Sequence, residues 1–218
     1  MAEAKIKIAP SLASADQSHL RRAVEQAELG GADLLHFDIE DGVFIPNLTF
    51  GPKTIESLRP ISELPFDVHL EVHRPEDYLE VVVAAGADIV TVQVESTRFP
   101  YQALHILQAM GVKVGLALNA ATPLDVVRPW LNSLDVIHLM TAEPDGVYVP
   151  GLIEKVQQAS ALIEQRTIEL EVDGGVSFEN AASLVEAGAT VLVAGRAIWG
   201  TKDPSAAIQR LRESARSS

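Results

Sequence analysis

The segment LGGADLLHFDI, residues 29–39, decides the fold, because it joins the end of a helix to a buried strand through a turn of small residues. The same pattern returns as AAGADIVTVQV at 84–94 and as EAGATVLVAGR at 186–196. Glycine suits the left-handed conformation that ends many helices, and a following alanine leaves room for a tight turn into the strand. The repeat therefore predicts alternating helices and parallel strands.

Further apolar runs and helical patterns complete the predicted set of elements. Strands are predicted at 5–9, 66–70, 113–118, 136–140 and 169–172, which makes eight with the three repeats. Helices are predicted at 16–29, 52–59, 75–85, 100–110, 123–131, 152–164, 177–187 and 204–214. Eight such units predict a single α/β domain over residues 1–218, a (β/α)₈ TIM barrel. The alternative is an open doubly wound sheet, but no G-x-G-x-x-G motif supports a dinucleotide fold.

Composition and charge limit the functions that this chain can have. The formal net charge is −13, which argues against nucleic acid and against anionic membrane surfaces as partners. Cysteine is absent, so disulfides, thiolate zinc sites and a cysteine nucleophile are excluded. Residues 1–10 have no apolar signal region, and no apolar run approaches the roughly 18–20 residues of a membrane span. We therefore expect a cytoplasmic protein. We also expect it to bind a small molecule and to form homo-oligomers.

Residues 34–47, LLHFDIEDGVFIPN, alternate so strictly that both faces of a strand can be assigned. His36, Asp38 and Glu40 share the polar face. Strands of alternating β/α proteins are covered on both sides, so this face must line an interior. Burying an imidazole and two carboxylates costs several kcal/mol unless a metal, a substrate or partner charges compensate. We therefore predict that the chemistry takes place at this strand.

Two other strands bring polar side chains to the same interior. The inward residues of the third and seventh strands are Asp67, His69, Glu71, Glu169, Glu171 and Asp173. Four polar residues reach the carboxyl ends of strands, where barrels place catalytic groups: His36, Asp38, His69 and Asp173. Two imidazoles and two carboxylates suit Zn²⁺, Mn²⁺, Fe²⁺ or Co²⁺ better than Ca²⁺. Taken singly, each histidine could instead be a hydrogen-bonded core or surface residue.

The other histidines are interpreted separately. His19, His73 and His105 lie in helical or loop stretches, which predicts surface positions. His138 points inward on the sixth strand beside Met140. It is either a residue that supports the metal ligands or a buried, hydrogen-bonded histidine.

Glycines follow the last two strands, as Asp173-Gly174-Gly175 and as Ala194-Gly195-Arg196. Loops at these places in barrels commonly bind phosphate through backbone N–H groups and a helix N-terminus. The alternative is that the tight turns simply need glycine. We favour a phosphate site that includes Arg196.

Six segments in the expected order resemble the ribulose-phosphate 3-epimerase family along nearly the whole chain. They are IAPSLASAD (8–16), HFDIEDGVFIPNLTFGP (36–52), PFDVHLEV (65–72), VGLALNAATPL (114–124), EVDGGV (171–176) and VLVAGRAIWG (191–200). The resemblance implies one divalent metal ion per chain, held by His36, Asp38, His69 and Asp173. It also implies that Asp38 and Asp173 are the acid/base groups and that Ser11 lies near the substrate.

The implied reaction inverts the carbon next to the ketone of a ketose phosphate through an enediolate. Such an inversion needs a base on one face and an acid on the other, and a metal can stabilise the charge between them. The alternatives are a sugar-phosphate isomerase or lyase with an altered substrate, and a non-catalytic homologue that binds sugar phosphate.

The chain departs from the family pattern at several positions. Methionines of the family's pocket are replaced by Glu40 and Glu71, and only Met140 of that set remains. The glycine-rich loop after the sixth strand is shortened to residues 143–146, Gln93 replaces a usual histidine, and Arg196 replaces a usual small residue. We interpret the two glutamates, Met140 and Arg196 as substrate-binding residues. If ionised, the glutamates would repel a phosphate, which predicts poor turnover of ribulose 5-phosphate.

Overall fold

The computed structural model describes residues 6–142, 147–163 and 166–216. Its sheet has eight strands, each parallel to its neighbours. They are β1 Lys7–Pro10, β2 Leu35–Glu40, β3 Phe66–Glu71, β4 Ile89–Gln93, β5 Lys113–Leu118, β6 Val136–Met140, β7 Glu169–Asp173 and β8 Val191–Ala194.

The sheet closes on itself. Strands β2 to β8 follow one another in sequence order, and β1 pairs with β8. The remaining gap, between β1 and β2, is closed by a parallel bridge from Ser11 to His36. The predicted (β/α)₈ barrel is therefore confirmed.

Eight α-helices lie among the described residues. They are α1 Leu20–Leu29, α2 Pro52–Leu58, α3 Leu79–Ala85, α4 Pro100–Ala109, α5 Ile153–Ile163, α6 Ala181–Glu186, α7 Arg196–Trp199 and α8 Pro204–Ser214. Helices α1, α3 and α6 begin later than predicted, because short 3₁₀ segments or turns precede them. Helix α7, four residues long, was not predicted.

The helix predicted at 123–131 is wrong. This segment forms two 3₁₀ helices, Leu124–Val126 and Arg128–Ser133. Pro129 has no amide hydrogen, and its ring disfavours the α conformation of the residue before it. A proline at this position therefore prevents a continuous α-helix.

The turns between helix and strand have the predicted conformation. Gly31, Gly86 and Gly188 have φ angles of 74°, 113° and 109°. The alanine that follows each glycine is buried. The predicted small-residue turns from helix to strand are therefore confirmed.

The interior of the barrel contains both apolar and charged side chains. Ile89, Val136 and Val191 begin their strands and belong to one buried cluster with Ala9, Leu34 and Val193. Charged side chains also lie at the amino-terminal ends of the strands, where Lys7 and Lys113 pair with Glu169. The residues of the candidate site lie nearer the carboxyl ends, at the mouth of the barrel.

Candidate metal-binding and catalytic site

A cavity of about 560 Å³ opens at the carboxyl ends of the strands. The residues predicted to bind substrate all line it, and so do both predicted acid/base groups: Ser11, Asp38, Glu40, Glu71, Met140, Asp173, Gly174, Gly175, Gly195 and Arg196. The fold thus brings together side chains from both ends of the sequence.

The four predicted metal ligands meet at this end of the barrel, where Asp38 and Asp173 line the cavity and His36 and His69 are fully buried beside them. His36 Nε2 lies 3.0 Å from Asp38 Oδ1 and 3.7 Å from Asp173 Oδ2. His69 Nδ1 lies 3.4 Å from the same oxygen of Asp38. The register of β2 and β3 explains this arrangement, because Asp38 stands opposite His69.

The spacing of these donor atoms fits a divalent cation. Atoms that bind one ion at about 2.1 Å lie about 3.0 Å to 4.2 Å from one another, depending on the angle at the metal. One donor atom from each of the four residues lies within 4.8 Å of the others. Two imidazoles and two carboxylates are also the chemistry that Zn²⁺, Mn²⁺, Fe²⁺ and Co²⁺ accept.

Buried neighbours orient the two histidines of this set. His36 Nδ1 lies 2.8 Å from Asp67 Oδ2, and Asp67 is 0% exposed. The other ring nitrogen of His69, Nε2, lies 3.1 Å from the side-chain nitrogen of Gln93. The side-chain oxygen of Gln93 is buried and has no hydrogen-bond partner among the described residues. Rotating this amide by half a turn lets Gln93 accept a hydrogen bond from His69. In the sequence Gln93 is marked only as a departure from the family pattern, because its contact with His69 depends on the pairing of β3 with β4.

The charges within the site shift its pKa values in different directions. Burial disfavours a charged His36, but the carboxylates of Asp38 and Asp67 raise its pKa well above the usual value. Burial likewise opposes ionisation of Asp38, yet His36 and His69 hold the pKa of that carboxyl well below its usual range. Burial and the neighbouring His138 lower the pKa of His69 to about 4. His69 is therefore neutral, which is the form that binds a metal.

Glu40 and Glu71 stand opposite each other at the ends of β2 and β3. Burial, Asp38, Asp173 and Glu40 together raise the pKa of Glu71 to about 9. Burial also raises the pKa of Glu40, and its Oε2 atom is buried without a hydrogen-bond partner among the described residues. Glu71 is therefore protonated at neutral pH, so the pair adds less negative charge than two ionised glutamates would.

Two hydroxyl groups hold the catalytic candidates in place. Ser11 donates a hydrogen bond of 2.6 Å from Oγ to Asp38 Oδ2. The hydroxyl of Thr141 donates to the backbone oxygens of Asp173 and Gly174 at 2.9 Å and 2.7 Å. Ser11 thus contacts the carboxylate directly, whereas the resemblance implied only that it lies near the substrate. No local sequence signal marks Thr141.

The glycines after β7 and β8 line one side of the cavity. Gly174 and Gly175 have φ angles of 95° and 71°, so their turn needs glycine whether or not it binds a ligand. Gly195 precedes α7, and a Cβ atom there would meet the Ser14 hydroxyl. The shortened loop at 143–146 lies outside the described residues.

The remaining histidines follow the sequence interpretation. His19, His73 and His105 are exposed, as predicted. His138 is fully buried, and its Nδ1 atom lies 2.6 Å from Glu171 Oε1. Burial opposes its charge, but Asp173 and Glu171 raise its pKa to about 10. Its position is compatible with both interpretations that the sequence left open.

Solved structures of low sequence identity share this fold. KGPDC from Streptococcus mutans has a TM-score of 0.72 at 16% identity, covering 96% of this chain and 97% of that chain. Thiamine phosphate pyrophosphorylase from Pyrococcus furiosus has a TM-score of 0.68 at 19% identity, covering 97% and 96%. At such identities the likeness shows the barrel alone.

Relatives of higher identity show the family. The chain is 38% identical over 215 residues to ribulose-phosphate 3-epimerase of Bacillus subtilis (strain 168), covering 96% of this chain and 99% of the relative. It is 40% identical over 223 residues to ribulose-phosphate 3-epimerase 1 of Cupriavidus necator, covering 96% and 92%. A family model described as the ribulose-phosphate 3 epimerase family matches residues 7–199. The chain therefore belongs to the ribulose-phosphate 3-epimerase family.

Proposed function

We propose that this protein is a metal-dependent epimerase that inverts the carbon next to the ketone of a ketose phosphate resembling ribulose 5-phosphate. The observation that carries the proposal is the placement of Asp38 and Asp173, which both line the cavity and both lie against His36. The two relatives of 38% and 40% identity are both named ribulose-phosphate 3-epimerases, which supports this reaction over an isomerase, a lyase or a non-catalytic homologue.

The two carboxylates divide the proton transfers between them. One takes the proton from the carbon beside the ketone, and the other delivers a proton to the opposite face of the planar enediolate. They come from different strands, β2 and β7, so the substrate carbon can lie between them. Ser11 donates to the Oδ2 atom of Asp38, which fixes the rotation of that carboxylate.

The proposed ligands of the cation are His36, Asp38, His69 and Asp173, with one divalent ion per chain of the Zn²⁺, Mn²⁺, Fe²⁺ or Co²⁺ class. When bound, such an ion supplies Lewis-acid stabilisation of the charge that develops on the ketone oxygen. Asp67 keeps His36 in one orientation, and Gln93 does the same for His69.

The rest of the cavity would bind the substrate. Gly174, Gly175 and Gly195 bring backbone groups to one wall, and Arg196 lies at the same wall. We assign the phosphate to this wall. Glu40, Glu71 and Met140 line other parts of the cavity and would contact the sugar chain.

Activity in D₂O tests the proposal. NMR of the product should show solvent deuterium at the inverted carbon, because the carboxylates exchange their protons with water between turnovers. Asp38→Asn and Asp173→Asn should each lower kcat by roughly 10² to 10⁴, the usual worth of a general acid or base. Asp125→Asn is the matched control, since that side chain is 82% exposed. Wild-type turnover by either active-site variant would refute the assigned pair.

We also propose that the domain spans residues 1–218, acts in the cytoplasm and assembles with copies of itself. Exposed aromatic side chains support self-association, since Phe99 is 65% and Tyr101 59% exposed. Light scattering after size-exclusion chromatography tests the assembly, and limited proteolysis tests the domain. Among the described helices, none has both the length and the apolar character needed to cross a lipid bilayer.

A further inference from the structure

His138 has one satisfied and one unsatisfied ring nitrogen. The residue is 0% exposed, and its Nδ1 atom lies 2.6 Å from Glu171 Oε1. Its Nε2 atom is buried and has no hydrogen-bond partner among the described residues. This nitrogen lies 3.6 Å from Asp173 Oδ2, which is too far for a hydrogen bond. A buried polar atom without a partner needs a physical explanation.

The unsatisfied nitrogen belongs to a cluster of three imidazoles. The ring of His138 lies 4.3 Å from that of His69 and 5.5 Å from that of His36, measured between centroids. One nitrogen from each ring lies within 4.8 Å of the others. His138 Nε2 and His36 Nε2 are 3.6 Å and 3.7 Å from the same oxygen of Asp173. Both distances fall within the spacing of atoms that share one metal ion.

The hydrogen-bond partner of His138 Nδ1 is also typical of a metal-binding histidine. A metal-binding histidine almost always gives its other ring nitrogen to a carboxylate, a carbonyl or water, which fixes the tautomer and the ring orientation. Glu171 does this for His138, as Asp67 does for His36. The two histidines therefore have matching environments, although they come from strands on different sides of the barrel.

We propose that His138 binds, through Nε2, the same cation as the four ligands assigned above, and that Glu171 positions its ring. This inference rests on the metal site of the proposed function and adds a fifth protein ligand to it. The donor set becomes three imidazoles and two carboxylates. Imidazole suits zinc, iron, copper and nickel, whereas oxygen donors suit magnesium, calcium and manganese, so the extra ring should favour Zn²⁺ over Mn²⁺.

The competing role for His138 is a protonated ring that donates to Asp173. In that role the residue supports a ligand and does not touch the metal. The two roles differ in the number of imidazoles bound to the ion, which is three with ligation by His138 and two without it. Counting imidazoles therefore separates them.

X-ray absorption spectroscopy of the zinc-loaded wild-type protein provides that count. We expect three imidazoles in the wild type and two in His138→Gln. Competition with a chromophoric chelator should show zinc binding at least about tenfold weaker in this variant, since even the outer partners of ligands are worth ~10–100-fold. His105→Gln is the control, because that histidine is exposed.

Each outcome supports or overturns the inference. Two imidazoles in the wild type overturn it, even if His138→Gln binds zinc more weakly, because the residue then acts through Asp173. The wild-type count decides the question by itself if the variant does not fold. A wild type that binds zinc and epimerises its substrate with only two imidazoles refutes the fifth ligand alone. A wild type that binds no metal refutes the metal site of the proposed function as well.

Discussion

Asp67 should control the affinity of the site for metal although it is not one of the assigned ligands. Its carboxylate lies 2.8 Å from Nδ1 of His36, and the residue is 0% exposed. A hydrogen bond that involves a charged group contributes about 1.5–3 kcal/mol. Every 1.4 kcal/mol changes affinity tenfold, so losing this contact should weaken metal binding roughly 10- to 150-fold.

Two substitutions divide this effect into its parts. Asp67→Asn keeps an oxygen that can accept from His36 but removes the charge, so we expect a loss near tenfold. Asp67→Ala leaves the His36 nitrogen buried without an acceptor, so we expect a loss near a hundredfold. Chelator competition with Zn²⁺ measures both, and Asp125→Asn is the exposed control. Folded variants that both bind zinc within threefold of wild type would refute the role of Asp67.

Three further predictions concern the charge and stability of the site. First, burial raises the pKa of Glu71 to about 9, so the metal-free folded state holds a proton that the unfolded state releases near the ordinary pKa of 4.5. The contribution of this proton to the free energy of unfolding is fully present below the pKa of the unfolded state, and it is lost as the pH rises toward the pKa of the folded state. Urea unfolding at pH 6 and at pH 8 should therefore show that the wild type loses roughly 1–3 kcal/mol of unfolding free energy relative to Glu71→Gln. An equal pH dependence in both proteins would contradict a protonated Glu71. Second, removing the metal should lower Tm, because an ion at 100 times its Kd stabilises by about 2.7 kcal/mol, or roughly 5–11 °C for a domain of this size. Scanning calorimetry with and without chelator measures this, and identical Tm values would argue against metal binding. Third, Glu40→Met/Glu71→Met should raise kcat/KM for ribulose 5-phosphate if the glutamates disfavour it; efficient wild-type turnover, at about 10⁴ M⁻¹s⁻¹ or more, would show that they do not.

The residues of the candidate site could be predicted from the sequence wherever the alternation within a single strand identified them. Strict alternation in β2 placed His36 and Asp38 on the inner face, and the structure has both side chains buried there. The same logic placed His69 and Asp173 on their strands. Alternation works because successive side chains of a strand point to opposite faces whatever the rest of the chain does.

Contacts between strands could not be predicted in the same way. The partner of His36 is Asp67, and the partner of His138 is Glu171, residues 31 and 33 positions away. Such pairs depend on the register between neighbouring strands, which one sequence does not specify residue by residue. The environment of Glu71 also required the fold, because its raised pKa comes from burial among carboxylates on other strands.

The seam of the barrel, which is the junction between β1 and β2, has a consequence for how the enzyme loses activity. Ser11 closes the sheet by bridging to His36, and the same serine donates to Asp38 through its hydroxyl. Trp199 fixes this point from outside, because its indole nitrogen donates to the backbone oxygen of Ser11 at 2.7 Å. Local opening between β1 and β2 would therefore disconnect the catalytic carboxylate while most of the barrel stayed folded. Heating or mild denaturant should inactivate the protein before it melts, and amide hydrogens along this seam should exchange in step with the loss of turnover.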